Sequence, residues 1–455
     1  MIFWSLIALV VLAPLPFASV PTWSWSLIAC ITGILLIAWS TRLAISGETP
    51  PVGLRRIWPF ALLFGFTIAW AAVQALPVTP VSWHHPLWRS VAEALGHDGG
   101  GTISLNPFAT RAALVRLLAY AGVFWLSLQY CRSSRRAWQV MYALTIAGLV
   151  YSVYGLIVEF SGTKMILWFD KNAYRDDLTS TFVNRNSYAT YAGLTLVCAS
   201  GLLVKIMSEN FGTYPGWREG FWRLLENVAP RAWILVVAWI TISTALLLTH
   251  SRGGFVSTAV GLLVLCLILG LTRTVKLQSA VFLTGLVIAA GAFFFALAGE
   301  VTDQRLARVL VERQERPRVY ELTLQAIEAA PLLGTGYGTF EEVFRFYRDP
   351  SLNSFYAKAH NTYLENALEL GLPGAVALFA TVGGLSILTL VGVRRRRRDA
   401  VYPCIGFAAT ILVAVHSLVD FSLQIPAVAL TYALLMGAAC AQSWSTRKGA
   451  NAGGG

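Results

Sequence analysis

The sequence predicts an all-α polytopic membrane protein with about twelve transmembrane helices. Three observations predict it. Only 13% of the 455 residues are charged and 56% are hydrophobic, against about 25% charge in an ordinary soluble domain. The apolar residues gather into runs long enough to cross a hydrocarbon core, which takes about 20 residues per helix. Lysines and arginines cluster at alternate ends of those runs, the bias that cytoplasmic loops carry. The composition excludes a soluble enzyme and a disordered chain. The net charge of +12 does not point to nucleic acid. Its basic residues flank apolar runs instead of forming one contiguous polar face.

In chain order the runs lie near 1–19, 24–41, 57–76, 113–131, 138–160, 186–207, 231–249, 253–272, 278–298, 373–393, 400–419 and 427–445. The first lacks the basic n-region of a signal peptide and reads as a span. With the N-terminus inside, the inner connections hold Arg42, Arg55 and Arg56, then Arg132, Arg135 and Arg136, then Arg218 and Arg223, then Arg273 and Lys276, then the run Arg394 to Arg398. Both termini are then cytoplasmic. Residues 208–230 set Trp217, Phe221 and Trp222 among Arg218 and Arg223, which reads as an amphipathic surface helix. The chain divides into 1–180, holding helices 1–5 and outer loops, then 181–445, then a disordered cytoplasmic tail at 446–455. The second part includes a long outer loop, 299–360, between helices 9 and 10. That loop carries nine acidic and eight basic residues, and long polar loops are where function concentrates.

The spans are nearly free of the mid-membrane ionisable groups that ion-coupled transport needs; Glu159, His416 and Asp420 sit near predicted ends and Arg116 lies early in its span. The six cysteines lie in or beside apolar runs and form no C-x-x-C pair, so they read as packing residues. His84, His85, His97 and Asp98 share the outer loop 77–112, but nothing orders them and no metal site is assigned. Chemistry is expected at the outer face.

Five stretches there stand out. His360 opens a short helix that stops at Gly371, before Pro373 and the next span. A neutral imidazole can take a proton from a hydroxyl near pH 7; the alternative is a histidine that hydrogen-bonds at a helix start. Arg318 follows Pro317, which suits a first helical turn, and a helix N-terminus is a good place for phosphate. The alternative is an exposed arginine paired with Glu315 or Glu321. Residues 331–340, PLLGTGYGTF, are not a dinucleotide fingerprint. Their glycines serve either a tight turn or an anion. Arg252, in a Ser-Arg-Gly-Gly turn between two spans, can reach a phosphate or a lipid headgroup. Asn184 and Arg185 precede another span, where an asparagine can also be a cap. The sixth string, His416 to Phe421, reads as structural.

Together these stretches resemble the O-antigen ligase and polymerase family of bacterial membrane glycosyltransferases. The resemblance rests on FVNRN at 182–186, SRGG at 251–254, PLLGTGYGTF at 331–340 and HNTYLENALELGLPG at 360–374, with HSLVDF at 416–421 as a fifth. It covers roughly residues 180–430. It implies a glycosyltransferase C-like fold in the bacterial inner membrane with a periplasmic active site. The donor would be a glycan on undecaprenyl pyrophosphate and the acceptor a sugar hydroxyl. It further implies no metal and no cofactor. His360 would be the catalytic base, and Arg252 and Arg318 would hold the pyrophosphate. Arg185, Asn184, Tyr337, Asn361 and Glu365 are secondary site residues.

The chemistry is coherent on its own terms. Pyrophosphate is a good leaving group whose developing charge needs stabilising, by metal or by arginine. Direct displacement by a hydroxyl inverts the anomeric centre. Glu365 and Glu369 stand one turn apart and either orient His360 or the acceptor, or are solvated or structural. A ligase would use lipid A–core as acceptor and a polymerase a second lipid-linked chain; the ligase reading is carried forward with the polymerase as alternative. A lipid-linked-sugar transporter is the alternative of another class, and it requires a charged central cavity.

Overall fold

An uncharged apolar run has one stable state in a bilayer, the helix, because each backbone N–H and C=O must find its partner within the segment. The computed structural model, which describes residues 1–96, 100–210, 229–272, 285, 303–396 and 399–444, follows that rule. Its helices are α1 Ile2–Leu12, α2 Thr22–Ser46, α3 Trp58–Gln74, α4 Leu87–Leu95, α5 Pro107–Tyr130, α6 Ser134–Phe160, α7 Arg185–Asn210, α8 Ala229–Leu248, α9 Arg252–Leu271, α10 Asp303–Ala329, α11 Phe340–Tyr347, α12 Thr362–Arg395, α13 Val401–His416 and α14 Pro426–Ala441. Among the described residues the only strands are β1 Met165–Ile166 and β2 Phe169–Asp170, paired antiparallel. By length and composition six helices can cross a membrane: α2, α5, α6, α7, α9 and α12. Helices α1, α3, α13 and α14, with Ala232–Leu248 of α8, are apolar but shorter. The chain is thus an all-α membrane protein.

The sequence run 278–298 lies outside the described residues apart from Gly285. So do most of the expected surface helix at 208–230, His97, Asp98 and the tail 446–455.

Two expectations are corrected. The run 1–19 is not one helix, since α1 stops at Leu12. Pro14 and Pro16 follow, and proline both lacks an N–H and drives its predecessor out of the helical region. At the other site, α10 does not begin at Pro317. It runs from Asp303 with Pro317 inside. Residues 303–316 hold no glycine or proline and many strong helix formers, so propensity upstream outweighs the one hydrogen bond that the ring removes.

Helix α14 is the axis of the bundle. All its residues from Pro426 to Ala441 are buried, the mark of a helix apolar on every side. It packs on α1, α5, α6, α7, α12 and α13. Ser127 Oγ of α5 donates to the Leu434 carbonyl at 2.6 Å.

A second, smaller apolar cluster caps one end. Val319, Leu322 and Ala326 of α10 meet Phe340 and Phe344 of α11, with Tyr356, Ala359 and Leu368. The long loop is therefore a folded element with its own core. It joins α12, whose helical path breaks at Gly371 (φ 69°, ψ 164°). Gln74 Nε2 crosses from α3 to the Leu333 and Glu369 carbonyls at 2.7 and 2.9 Å. The Leu372 amide donates to the Pro331 carbonyl at 2.8 Å. The break thereby keeps its backbone groups paired.

Candidate functional site

The folded loop delivers His360 to the start of α12. His360 itself has φ 52°, a left-handed residue between the loop and the helix. Asn361 caps α12, its Oδ1 accepting from the Tyr363 and Leu364 amides at 3.0 and 3.1 Å. The 416–420 turn between α13 and α14 closes over this start. The Thr362 amide donates to the Ser417 carbonyl at 2.9 Å, Thr362 Oγ1 to the Asp420 carbonyl at 2.9 Å, and Asn361 Nδ2 to the Leu418 carbonyl at 3.2 Å.

That closure sets Asp420 Oδ1 3.2 Å from His360 Nδ1. Asp420 is 1% exposed, and Ser422 Oγ donates to its other oxygen at 2.7 Å. Burial raises the Asp420 carboxyl, but the His360 hydrogen bond, the neighbouring His416 and His360 imidazoles and the Ser422 bond outweigh it and hold it below the usual carboxylate range. Asp420 is then a carboxylate at neutral pH. It accepts from His360 Nδ1–H and leaves Nε2 with its lone pair. The ring is wedged edge-on between Tyr356 (6.2 Å) and Phe421 (5.0 Å). Tyr356 is itself fixed, its hydroxyl donating to Glu315 of α10 at 2.8 Å.

The sequence reading took Asp420 as structural. Its signal was present: a lone carboxylate among apolar residues, four residues after a histidine. What the sequence could not supply was a partner 60 positions away.

Glu365 is neither solvated nor in contact with the imidazole. It is fully buried, with Oε1 accepting from Lys358 Nζ at 2.9 Å and Oε2 from the Ala359 amide at 3.0 Å. It fixes the two residues that precede His360. Glu369 is also buried and takes the Phe340 amide at 3.0 Å.

The glycine loop is a turn whose amides are already used. The Thr335 and Gly336 amides donate to the Leu368 and Glu369 carbonyls, and the Tyr337 amide to Gln74 Oε1. Gly336 has φ 107°, and a Cβ there would stand 2.8 Å from Ser104 Cα. Gly336→Ala adds about 1–3 kcal/mol of backbone strain before that clash is counted. It should lower the melting temperature of the purified protein in a thermal unfolding scan; an unchanged melting temperature would contradict the geometry.

The arginines separate into groups. Arg318 Nη1 pairs with Glu321 at 2.7 Å, and Nε and Nη2 both meet Asp349 Oδ2, the former at 2.9 Å. Hydrogen bonds from Ser351 and Arg318 pull the Asp349 carboxyl down to about 2, so this pair stays charged at any pH above that. Arg316 makes no ion pair with a described residue. Its Nη1 donates to the Val419 carbonyl at 3.2 Å, on the turn that holds Asp420. Arg252 opens α9 and is exposed, capped by Ser251 Oγ on the Gly254 amide at 3.2 Å. The adjoining Gly253 packs on the same turn: a Cβ there would lie 3.0 Å from Val419 and 3.4 Å from His416.

So His360, Asn361 and Arg316 gather around residues 416–420, and the backbone of Gly253, next to Arg252, packs on the same turn. Arg318 does not join them. Arg185 Nη1 is held by Asp177 Oδ2 at 2.8 Å, and Asp177 Oδ1 meets His250 Nδ1 at 2.9 Å. Asn184 Oδ1 accepts from the Asn186 amide at 2.7 Å, and Asn186 in turn accepts from Ser251 Oγ at 2.8 Å. That cluster braces the Arg252 turn. Tyr337 faces a cavity beside Lys358.

A histidine hydrogen-bonded to a buried carboxylate, with two arginines that make no ion pair among the described residues, suits transfer between a hydroxyl and a phosphate-bearing group. Residues 236–379 match the family model described as O-antigen ligase. The match covers 144 of the 455 residues and marks that stretch as similar to the O-antigen ligase family. No curated protein matches the chain. The O-antigen ligase match includes Arg252, Arg316, Arg318 and His360, and it ends before Asp420. It supports a glycosyltransferase of the ligase or polymerase type acting on lipid-linked glycan.

Proposed function

We propose that the protein is a metal-independent, inverting glycosyltransferase of the bacterial inner membrane, with its site on the periplasmic face. It would move a glycan from undecaprenyl pyrophosphate to a sugar hydroxyl. The observation that carries this reading is the His360–Asp420 pair, with Arg316 on the Val419 carbonyl and the backbone beside Arg252 packed on the same turn. His360 Nε2 takes the acceptor proton as the hydroxyl oxygen bonds to the anomeric carbon. The carbon–oxygen bond to pyrophosphate breaks on the opposite face, which inverts the centre. Arg252 and Arg316 stabilise the departing charge. Arg316 replaces Arg318 in this role, because Arg318 is neutralised by Glu321 and Asp349. In the ligase reading the acceptor is lipid A–core. In the polymerase reading the acceptor is a second lipid-linked chain.

The deciding assay is purified protein in vesicles with an undecaprenyl-pyrophosphate glycan, offered lipid A–core and, separately, a second lipid-linked glycan. Product on the first identifies a ligase and chain extension on the second a polymerase. Donor moved across the bilayer without any new bond would establish the transporter instead. Chelator should leave turnover unchanged; inhibition reversed by added Mg²⁺ would overturn metal independence.

The reading includes twelve spans with both ends cytoplasmic. Ser354 is exposed beside the site and Glu48 is exposed in the α2–α3 connection. In a Cys30→Ser background, Ser354→Cys should react with an impermeant thiol reagent from the periplasm and Glu48→Cys should not. The opposite pattern would put His360 in the cytoplasm and end the proposal.

A further inference from the structure

The carboxylate that faces His360 has a second imidazole beside it. Asp420 Oδ1 meets His360, and Oδ2 accepts from Ser422 Oγ at 2.7 Å. The same Ser422 Oγ stands 3.2 Å from Nδ1 of His416, the last residue of α13. That Nδ1 also lies 2.8 Å from Thr190 Oγ1 of α7 and 4.0 Å from Asp420 Oδ2. His416, Thr190 and Ser422 are all buried.

The supply of protons fixes the direction of each bond. A hydroxyl has one proton to give, and a carboxylate can only accept. Ser422 gives its proton to Asp420 Oδ2. Thr190 has the Asn186 carbonyl of its own helix as acceptor at 3.2 Å. Toward His416 both hydroxyls then offer lone pairs, with a carboxylate oxygen behind them. A bare Nδ1 there would set lone pair against lone pair in a buried site, which is costly. Nδ1 therefore carries a proton, and its two hydroxyl neighbours fix that tautomer.

The frame that holds the ring is shared with Arg252. The side chain of Asn186 accepts from Ser251 Oγ at 2.8 Å, and Ser251 caps α9 beside Arg252. The Gly253 backbone packs on another edge of the ring, a Cβ there lying 3.4 Å from His416 Nε2.

We infer that His416 is a positioning residue for Asp420: its Nδ1–H holds the Ser422 hydroxyl in the orientation that presents the carboxylate to His360. Without that proton Ser422 would turn its own hydrogen to the ring, and Oδ2 would lose its donor. The inference rests on the transferase reading and deepens it, by adding a residue that acts on the base from inside the fold.

Nitrogen-15 NMR of histidine-labelled, full-length protein in vesicles reads the proton without any turnover. His416 is assigned as the signal that His416→Asn removes, and its Nδ1 should be protonated. A bare Nδ1 would overturn the inference and leave the transferase reading standing. Single-turnover transfer with the undecaprenyl-pyrophosphate glycan supplies the second readout. His416→Leu, which removes the donor, should slow transfer roughly ten- to a hundredfold. His416→Asn places an amide N–H where Nδ1 stood and should recover to within about fivefold of wild type. In an Asp420→Asn background, His416→Leu should cost less than about threefold more, because the carboxylate it orients is gone. A folded His416→Asn as slow as His416→Leu, or losses that multiply in the double variant, would mean that His416 serves the fold and not Asp420. Undiminished turnover in His360→Ala would instead end the transferase reading, with the His416 tautomer unchanged.

Discussion

His360→Ala is expected to slow glycan transfer by roughly 10²–10⁴-fold, the usual contribution of a general base. The variant should still insert and bind donor, because the arginines at the 416–420 turn are untouched. Asp420→Asn should lose a comparable amount. It keeps the shape and the Ser422 contact, but the neutral amide can no longer demand a proton on His360 Nδ1. Because the two residues act as one unit, the double variant should be little worse than either single one. Single-turnover rates in vesicles measure all three. Full additivity would mean that Asp420 acts elsewhere, and near-normal turnover in His360→Ala would remove the base from the mechanism.

The second large effect separates two arginines of one motif. Arg316→Lys should cost roughly 10²–10³-fold, the loss seen when one stabilising donor is removed, since a compact ammonium cannot reproduce a planar two-point grip. Arg252→Lys should behave alike. Arg318→Lys should stay within a few-fold of wild type, because a lysine still neutralises Asp349 and Glu321. If Arg318→Lys is the crippled variant and Arg316→Lys is not, the phosphate site has been placed on the wrong side of Pro317.

Much of this was legible from composition and punctuation. Uncharged runs forced helices because hydrocarbon offers the backbone no other partner. The stop at Gly371 followed from a glycine that can turn left-handed, and the structure has it at φ 69°. Pro14 and Pro16 were equally readable and should have shortened the first run. The pairings were not legible. Whether Arg316 or Arg318 faces the turn depends on the phase of α10, and the position of Asn361 as a cap says nothing about which carboxylate waits across the gap. Asp420 and His360 meet only because three main-chain and side-chain bonds close the 416–420 turn over α12. Distance in sequence hides such contacts, and local pattern cannot restore them.

The burial of α14 on every side has a consequence for how the protein is made. A ribosome threads helices into the membrane in chain order, and α14 comes after all the helices that enclose it. The packing around this axis is therefore completed last. The connection that carries Asp420 reaches its place only when α14 slides home. Until then His360 and Asp420 are apart, and the site proposed for transfer is incomplete. Assembly and activation would then be the same event.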